Sequence, residues 1–253
     1  MNAAALTLSR RRFDAVIFDL DGVITQTARV HAAAWKAIFD DFLQRRAAAR
    51  GEPFRPFDID TDYRRYVDGK PRYDGVQSFL AARGIDLPYG DPADPPARDT
   101  VCGLGNRKNR MFLEVLEKEG VAVYDSTIAL IRQLRAHGFR TAMVTASKSG
   151  AAILARAGIG DLFDAKVDGI DADELGLRGK PAPDPFLEAA RRLHVEPPRA
   201  VVVEDAIAGV QSGRAGGFGC VIGVNRGDYA AALREGGADV VVRDLAELGV
   251  AAQ

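Results

Sequence analysis

The chain has 253 residues, 47% hydrophobic and 27% charged, a balance that excludes wholesale disorder and bounds the fold to one large domain or one and a half. Its 34 basic and 35 acidic residues leave a formal charge of −1, so no global field exists to hold nucleic acid or an anionic membrane. No apolar run approaches the roughly 18 residues of a transmembrane span. Met1–Arg12 carries its arginines after its apolar residues, the reverse of a secretory signal. Cys102 and Cys220 are too few for a disulfide framework and lack metal-ligand spacing. The expectation is a soluble, cytoplasmic monomer that engages neither nucleic acid nor membrane.

Phe13–Leu20 (FDAVIFDL) is a short apolar run closed by Asp-Gly and reads as a buried strand. The interval from 21 to 139 that follows is far longer than one crossover helix needs. Inside it, His31–Arg50 continues a four-residue spacing of Val30, Ala34, Ile38 and Phe42 and stops at Gly51. Trp35 and its aromatic neighbours read as core. Tyr73–Arg83 carries Val76, Phe79 and Leu80 up to Gly84, and Asn106–Glu119 carries Phe112, Val115 and Leu116. Seven of the 12 prolines lie between Pro53 and Pro96, marking turns and a stiff loop around Leu87–Arg98. Gly103-Leu104-Gly105 follows no strand and is not a dinucleotide loop. The basic cluster Asn106–Arg110 offers a phosphate contact through Lys108, but reads better as a solvated helix face.

After the interval, Ser126–His137 is a helix with Gly138 at its C-cap, and Pro185–His194 is another with proline in its first turn. Arg140–Thr145, Ala165–Asp168, Ala200–Val203, Gly219–Val224 and Asp239–Val242 read as strands. Strands alternating with helices imply a doubly wound α/β fold, a parallel sheet with helices on both faces. The predicted organisation is a Rossmann-like core from residues 1–27 and 123–253. A small helical domain, residues 28–122, is inserted after the first strand.

Ligands of such sheets bind beyond the carboxyl ends of the strands. Those ends carry Asp19-Leu20-Asp21-Gly22, Thr145-Ala146-Ser147-Lys148-Ser149 and Glu204-Asp205, and Gly179-Lys180-Pro181 precedes the next long helix. Four carboxylates on one rim repel unless a cation neutralises them. Oxygen-only ligands favour a hard ion, here Mg²⁺, and three scattered histidines leave zinc little to bind. A metal beside a lysine and loop amides is a phosphoryl clamp. One aspartate in it can be the nucleophile, and a second, two residues on, a general acid and base.

Asp19-Leu20-Asp21-Gly22-Val23-Ile24-Thr25, the Thr145 strand end, Lys180 and Glu204-Asp205 resemble, in order and spacing, the four motifs of the haloacid dehalogenase superfamily. The likeness spans the whole chain, including a helical cap after the first strand. The runs Asp19–Lys36, Thr145–Ser149 and Gly179–Phe186 resemble the β-phosphoglucomutase branch of that superfamily. The resemblance implies Asp19 as nucleophile and Mg²⁺ ligand, and Asp21 as general acid/base giving its backbone carbonyl to the metal. Glu204 and Asp205 would complete the protein ligands, and Thr145, the Ala146 amide and Lys180 would hold the transferring phosphoryl group. Ser147, Lys148 and Ser149, with Gly69 and Arg72 of the cap, would bind the phosphate at the sugar's other end. His31 is placed against substrate or, equally, as a structural histidine.

Departures from the branch pattern are Gln26 in place of an acid, Asp68 in place of a lysine (with Lys70 a possible substitute), Ser149 in place of an asparagine, and a long Leu87–Leu104 loop. They bear on the sugar more than on phosphoryl transfer. The implied activity is interconversion of β-glucose 1-phosphate and glucose 6-phosphate through an aspartyl phosphate and a sugar bisphosphate. The alternatives are a Mg²⁺-dependent sugar-phosphate phosphatase and a non-catalytic phosphate-binding module. The intact Asp19, Asp21, Lys180 and Asp205 argue against the module, and a second phosphate grip argues against the phosphatase.

Overall fold

The computed structural model describes residues 6–251. The chain divides into two compact units. One is built from the residues up to Gln26 together with those from Val121 onward, the other from Thr27–Gly120.

In the first unit six parallel strands form one sheet: β2 (Ala15–Asp19), β3 (Arg140–Val144), β4 (Ala165–Val167), β5 (Ala200–Glu204), β6 (Cys220–Val224) and β7 (Val240–Val242). Their spatial order is β4-β3-β2-β5-β6-β7. The chain winds outward from β2 through β3 to β4, then returns to β5 on the other side of β2. The topological switch therefore flanks β2, and this is the crevice where doubly wound sheets bind ligands. In register, Asp19 pairs with Val144 and Phe18 with Val203, so the ends of β2, β3 and β5 lie level.

Both faces are covered, which is why these strands read as continuous apolar runs. Ala15 and Ile17 share a core with Val202, Phe186 and Ala189 of α7 (Asp184–Arg192), and Val210 of α8 (Ile207–Ala215). The alternate residues Val16 and Phe18 project to the opposite face. Helix α4 (Asp125–Ala136) packs on β3 with Leu130, Ile131 and Leu134 buried. The remaining helices of this unit are α5 (Gly150–Ala157), α6 (Gly169–Leu175) and α9 (Ala230–Glu235). A separate two-stranded parallel ribbon joins β1 (Thr7–Leu8) to β8 (Gly249–Val250), which the sequence reading did not anticipate. Two residues carry no readable period.

The second unit holds α1 (Ala28–Arg50), α2 (Arg72–Ala82) and α3 (Val101–Glu119), with a nine-residue π-helix at Ile59–Val67. Its core is aromatic: Trp35, Phe39, Phe57 and Phe79 are buried, with ring centroids 5.2 Å apart for Trp35–Phe39, 5.0 Å for Phe39–Phe57 and 4.3 Å for Phe39–Phe79. Helix α3 starts five residues before the predicted Asn106. Thr100 caps it by accepting the Gly103 N–H. The glycines that obscured this start are packing requirements, since a Cβ at Gly105 would lie 2.9 Å from the Tyr73 ring and 3.0 Å from Arg72 Cδ.

Two further expectations change. The loop read as Leu87–Leu104 ends at Thr100, and Pro92, Pro95 and Pro96 lie in turns around the buried Asp94, which accepts from Thr100 Oγ1 at 2.7 Å and from the Asp91 N–H at 3.1 Å. The Asn106–Arg110 cluster is not a uniformly solvated face. Lys108 is 5% exposed, its ammonium over the Phe112 and Trp35 rings at 4.7 and 5.2 Å. The cation–π attraction of a desolvated ammonium makes that burial tolerable. Among the described residues no helix is long and apolar enough to cross a membrane.

Because Phe39 contacts three aromatic rings, Phe39→Ala is expected to cost about 3–5 kcal/mol in the second unit. Trp35 is the single tryptophan, so its fluorescence in a urea titration reports that unit directly. A loss below about 1 kcal/mol would mean that the cluster does not carry the unit's stability.

Candidate active site

At the end of β2 the backbone leaves the sheet through Asp19-Leu20-Asp21-Gly22. The turn is closed by Ile24 and Thr25 N–H groups, both donating to the Leu20 carbonyl at 2.9 Å, and by Gly22 N–H donating to the Thr25 carbonyl at 2.8 Å. Thr25 Oγ1 also donates to Leu20 O, and Thr127 Oγ1 of α4 donates to Val23 O. Buried Leu20, Val23 and Ile24 anchor the loop, so Asp19 and Asp21 are presented on a braced turn.

Neighbouring strand ends supply the rest. Thr145, one residue past β3, is 4% exposed; its N–H extends the sheet to Val167 O, and its Oγ1 donates to Asp21 Oδ2 at 3.2 Å. The same hydroxyl accepts the Ser147 N–H at 3.1 Å, and Ser147 Oγ accepts the Ser149 N–H at 3.2 Å. This turn leads through Ala146 into α5. Lys148 points to the surface and pairs with Asp173.

Lys180 is 2% exposed and bonds Asp19 Oδ1 at 2.5 Å and Glu204 Oε1 at 2.6 Å. Glu204 closes β5 fully buried, and its other oxygen accepts the Ala206 N–H at 2.8 Å. Burial and, next, the negative charge of Glu204 push the Asp19 carboxyl well above the usual aspartate range, against the pull of Lys180. For Lys180, burial acts downward, but the charges of Asp19 and Glu204 outweigh it and hold the ammonium above the ordinary lysine value.

Asp19, Glu204 and Asp205 each offer a carboxylate oxygen, all within 4.8 Å of one another. Two glycines allow this closeness. A Cβ at Gly22 would lie 1.8 Å from Asp205 Oδ2, and one at Gly209 would lie 1.7 Å from Glu204 Oε1. The donor set is all oxygen, compact and anionic, which fits a hard divalent cation. Asp21's carboxylate is outside this triad.

The remaining expected residues belong to the second unit. Gly69 has φ +72°, in the left-handed region open to glycine. Arg72 begins α2, its Nη1 donating to Asn106 Oδ1 at 3.1 Å and its guanidinium 5.5 Å from the Tyr73 ring centroid. His31 stacks on Phe112 at 3.9 Å, and its Nδ1 meets Lys108 Nζ. Lys70, weighed as a stand-in for a missing lysine, donates to Ser78 Oγ at 2.9 Å. Asn106, which no motif flagged, ties Arg72 to the long loop by donating through Nδ2 to Pro92 O and Asp94 O.

A doubly wound sheet whose rim gathers these carboxylates around one buried lysine defines a phosphoryl-transfer class of fold and site, and the chain belongs to the haloacid dehalogenase-like hydrolases, whose family model matches residues 13–217. It is 50% identical over 237 residues to the β-phosphoglucomutase of Mycobacterium bovis, covering 92% of this chain and 90% of that protein. The β-phosphoglucomutase of Bacillus subtilis is 32% identical over 234 residues, covering 92% and 91%. A crystal structure of β-phosphoglucomutase from Clostridium difficile matches with a TM-score of 0.71 at 25% identity, over 93% of both chains.

Lys180 is the cation on which Asp19 and Glu204 both depend. Lys180→Met is therefore expected to destabilise the metal-free protein by about 3–5 kcal/mol, the usual cost of leaving buried charges unpaired. Denaturant unfolding in the presence of a chelator checks this. A change under about 1 kcal/mol would mean that the carboxylates do not depend on the ammonium.

Proposed function

We propose that this chain is a cytoplasmic, monomeric β-phosphoglucomutase, an isomerase that interconverts β-glucose 1-phosphate and glucose 6-phosphate. The observation that carries the reading is the buried Asp19–Lys180–Glu204 cluster beside Asp21 and Asp205, in a chain 50% identical to a β-phosphoglucomutase over nine-tenths of both lengths.

In this reading Asp19 attacks phosphorus, forming an aspartyl oxygen–phosphorus bond as the bond to the sugar oxygen breaks. Asp21, which accepts from Thr145 Oγ1 until the phosphoryl group takes that hydrogen, gives a proton to that departing oxygen and later removes one from the hydroxyl that takes the phosphoryl group back. Turnover starts from the aspartyl phosphate: its phosphoryl group passes to the 6-hydroxyl of β-glucose 1-phosphate as the aspartyl oxygen–phosphorus bond breaks. The bisphosphate so formed, turned end for end, returns its 1-phosphoryl group to Asp19 and leaves as glucose 6-phosphate. Lys180, Thr145 Oγ1 and the Ala146 N–H hold the transferring phosphoryl oxygens, donors aimed where charge accumulates. Asp19, Glu204, Asp205 and the Asp21 carbonyl would hold Mg²⁺, which would supply the countercharge between an anionic nucleophile and an anionic phosphate. Gly69, Arg72, Ser147, Lys148 and Ser149 bind the phosphate that is not transferred, and His31 contacts substrate. Lys148 must exchange Asp173 for that phosphate, a small cost because the pair is exposed.

Arg72 suits its role because a guanidinium fork bonds two phosphate oxygens, which a point ammonium cannot do. It is also held in place by Asn106, so less of its freedom is lost on binding.

Asp19→Asn keeps the shape and removes the attacking charge. It is expected to abolish glucose 6-phosphate formation from β-glucose 1-phosphate and phosphate release alike, in a coupled assay with trace bisphosphate. Retention of more than a few percent of either activity would exclude an aspartyl phosphate. For Arg72→Ala, the loss of one charge-assisted contact worth about 1.5–3 kcal/mol becomes a fall of about 10- to 150-fold in mutase rate. Acetyl phosphate, which carries one phosphate, should be turned over near the wild-type rate. Parallel losses, or none, would favour a sugar-phosphate phosphatase.

A further inference from the structure

Arg226 lies two residues beyond β6, outside every motif considered above. Its Nε donates to the Gly22 carbonyl at 2.7 Å, a contact between residues 204 apart in sequence. Its guanidinium carbon lies 3.5 Å from the centroid of the Tyr124 ring, and its side chain is only 17% exposed. Nη1 reaches the Arg243 carbonyl at 3.5 Å, with Asp244 Oδ2 at 3.9 Å. Tyr124 is tied to the same loop, its N–H donating to Ile24 O at 2.9 Å.

The Gly22 carbonyl is a consequential place to put a charge-assisted hydrogen bond. Gly22 has φ +89° and sits against Asp205 with no room for a Cβ. A glycine has little conformational preference of its own, so its two flanking peptide planes take the orientation that outside contacts select. The plane before it carries the Asp21 carbonyl and the Gly22 N–H, which point oppositely across a trans peptide. That plane is held by Thr25 O. The plane after it carries the Gly22 carbonyl, and Arg226 holds that one. The stack on Tyr124 fixes the guanidinium in turn, so the donor is rigid.

We propose that Arg226 is a positioning residue for Asp21, holding the loop so that the Asp21 carboxylate meets the sugar oxygen in proton transfer. The inference rests on the mutase reading given above. Because Asp21 is needed for a poor leaving group and little for an activated one, misplacing it separates the two reactions. The alternative role, a merely structural pin between β6 and the loop, affects both alike.

Two variants test this. Arg226→Met keeps length and packing and removes every donor; Arg226→Lys keeps a cationic donor and loses the planar stack. Arg226→Met should lower kcat for β-glucose 1-phosphate by about 10- to 100-fold, with KM and phosphoenzyme formation from acetyl phosphate each within about 3-fold of wild type. Arg226→Lys should recover at least part of the lost kcat, and if Arg226→Met does not fold, the same selective loss in Arg226→Lys decides the matter. Asp21→Ala, assayed alongside, should show the same selectivity in stronger form. Turnover of β-glucose 1-phosphate within 3-fold of wild type in Arg226→Met, or a parallel loss of both reactions, overturns the proposal alone. Failure of the wild-type chain to convert β-glucose 1-phosphate would overturn the mutase reading and this one with it.

Discussion

The first unit is organised around one electrostatic problem, which is how to keep several carboxylates at the carboxyl rim of a sheet. Asp19 and Glu204 end adjacent strands, fully or nearly fully buried, and a bare pair of such charges would be untenable there. Lys180 resolves it by lying between them with both bonds short. Burial of the lysine is tolerable only because the two carboxylates are present, and burial of the carboxylates only because the lysine is. None of the three can be replaced singly without leaving an uncompensated charge. The arrangement is therefore weak evidence for stability, and an anion or a cation arriving at it would change its charge balance.

The surrounding backbone follows from the same need. Gly22 and Gly209 clear the space into which Asp205 and Glu204 turn, and the Ala206 N–H takes the second Glu204 oxygen. The strand order puts β2 between β3 and β5, so a hydroxyl (Thr145) and two carboxylates (Asp19 and Glu204) emerge at one level. A one-residue slip of β5 would move Glu204 to the opposite face of the sheet, out of reach of Lys180.

How much of this is legible in the sequence depends on whether the controlling interaction is local. The six strands of the main sheet read clearly, because strands covered on both faces are continuous apolar runs, and FDAVIFDL or AVVV has few other uses. The rim carboxylates and Thr145 read because each ends or closely follows such a run, and Lys180 reads through the Gly-Lys-Pro stretch before α7. The start of α3 did not, because Gly103 and Gly105, poor helix formers, serve close packing against Arg98 and Tyr73 that only the fold reveals. The π-helix at Ile59–Val67 is polar enough to pass for a loop. Lys108 looked solvated among arginines, yet its environment is set by Trp35, more than seventy residues earlier. Arg226 carries no local signal at all, since its partners are a backbone carbonyl and a ring from distant segments.

The second unit shows how a departure from a family pattern acquires physical meaning. The long proline-rich loop before α3 is not slack chain: Asp94 is buried inside it, and Asn106 binds two of its carbonyls. Asn106 uses both amide hydrogens on Pro92 O and Asp94 O, and its oxygen accepts from Arg72 and from the Tyr73 hydroxyl at 2.9 Å. With all four of its bonds made, the amide has one orientation, and it passes that orientation to the guanidinium. The cost of ordering Arg72 is thus met during folding, so an anion meeting its guanidinium would gain the contact without it. The long loop before α3 therefore acts on the Arg72 guanidinium through a single side chain, that of Asn106.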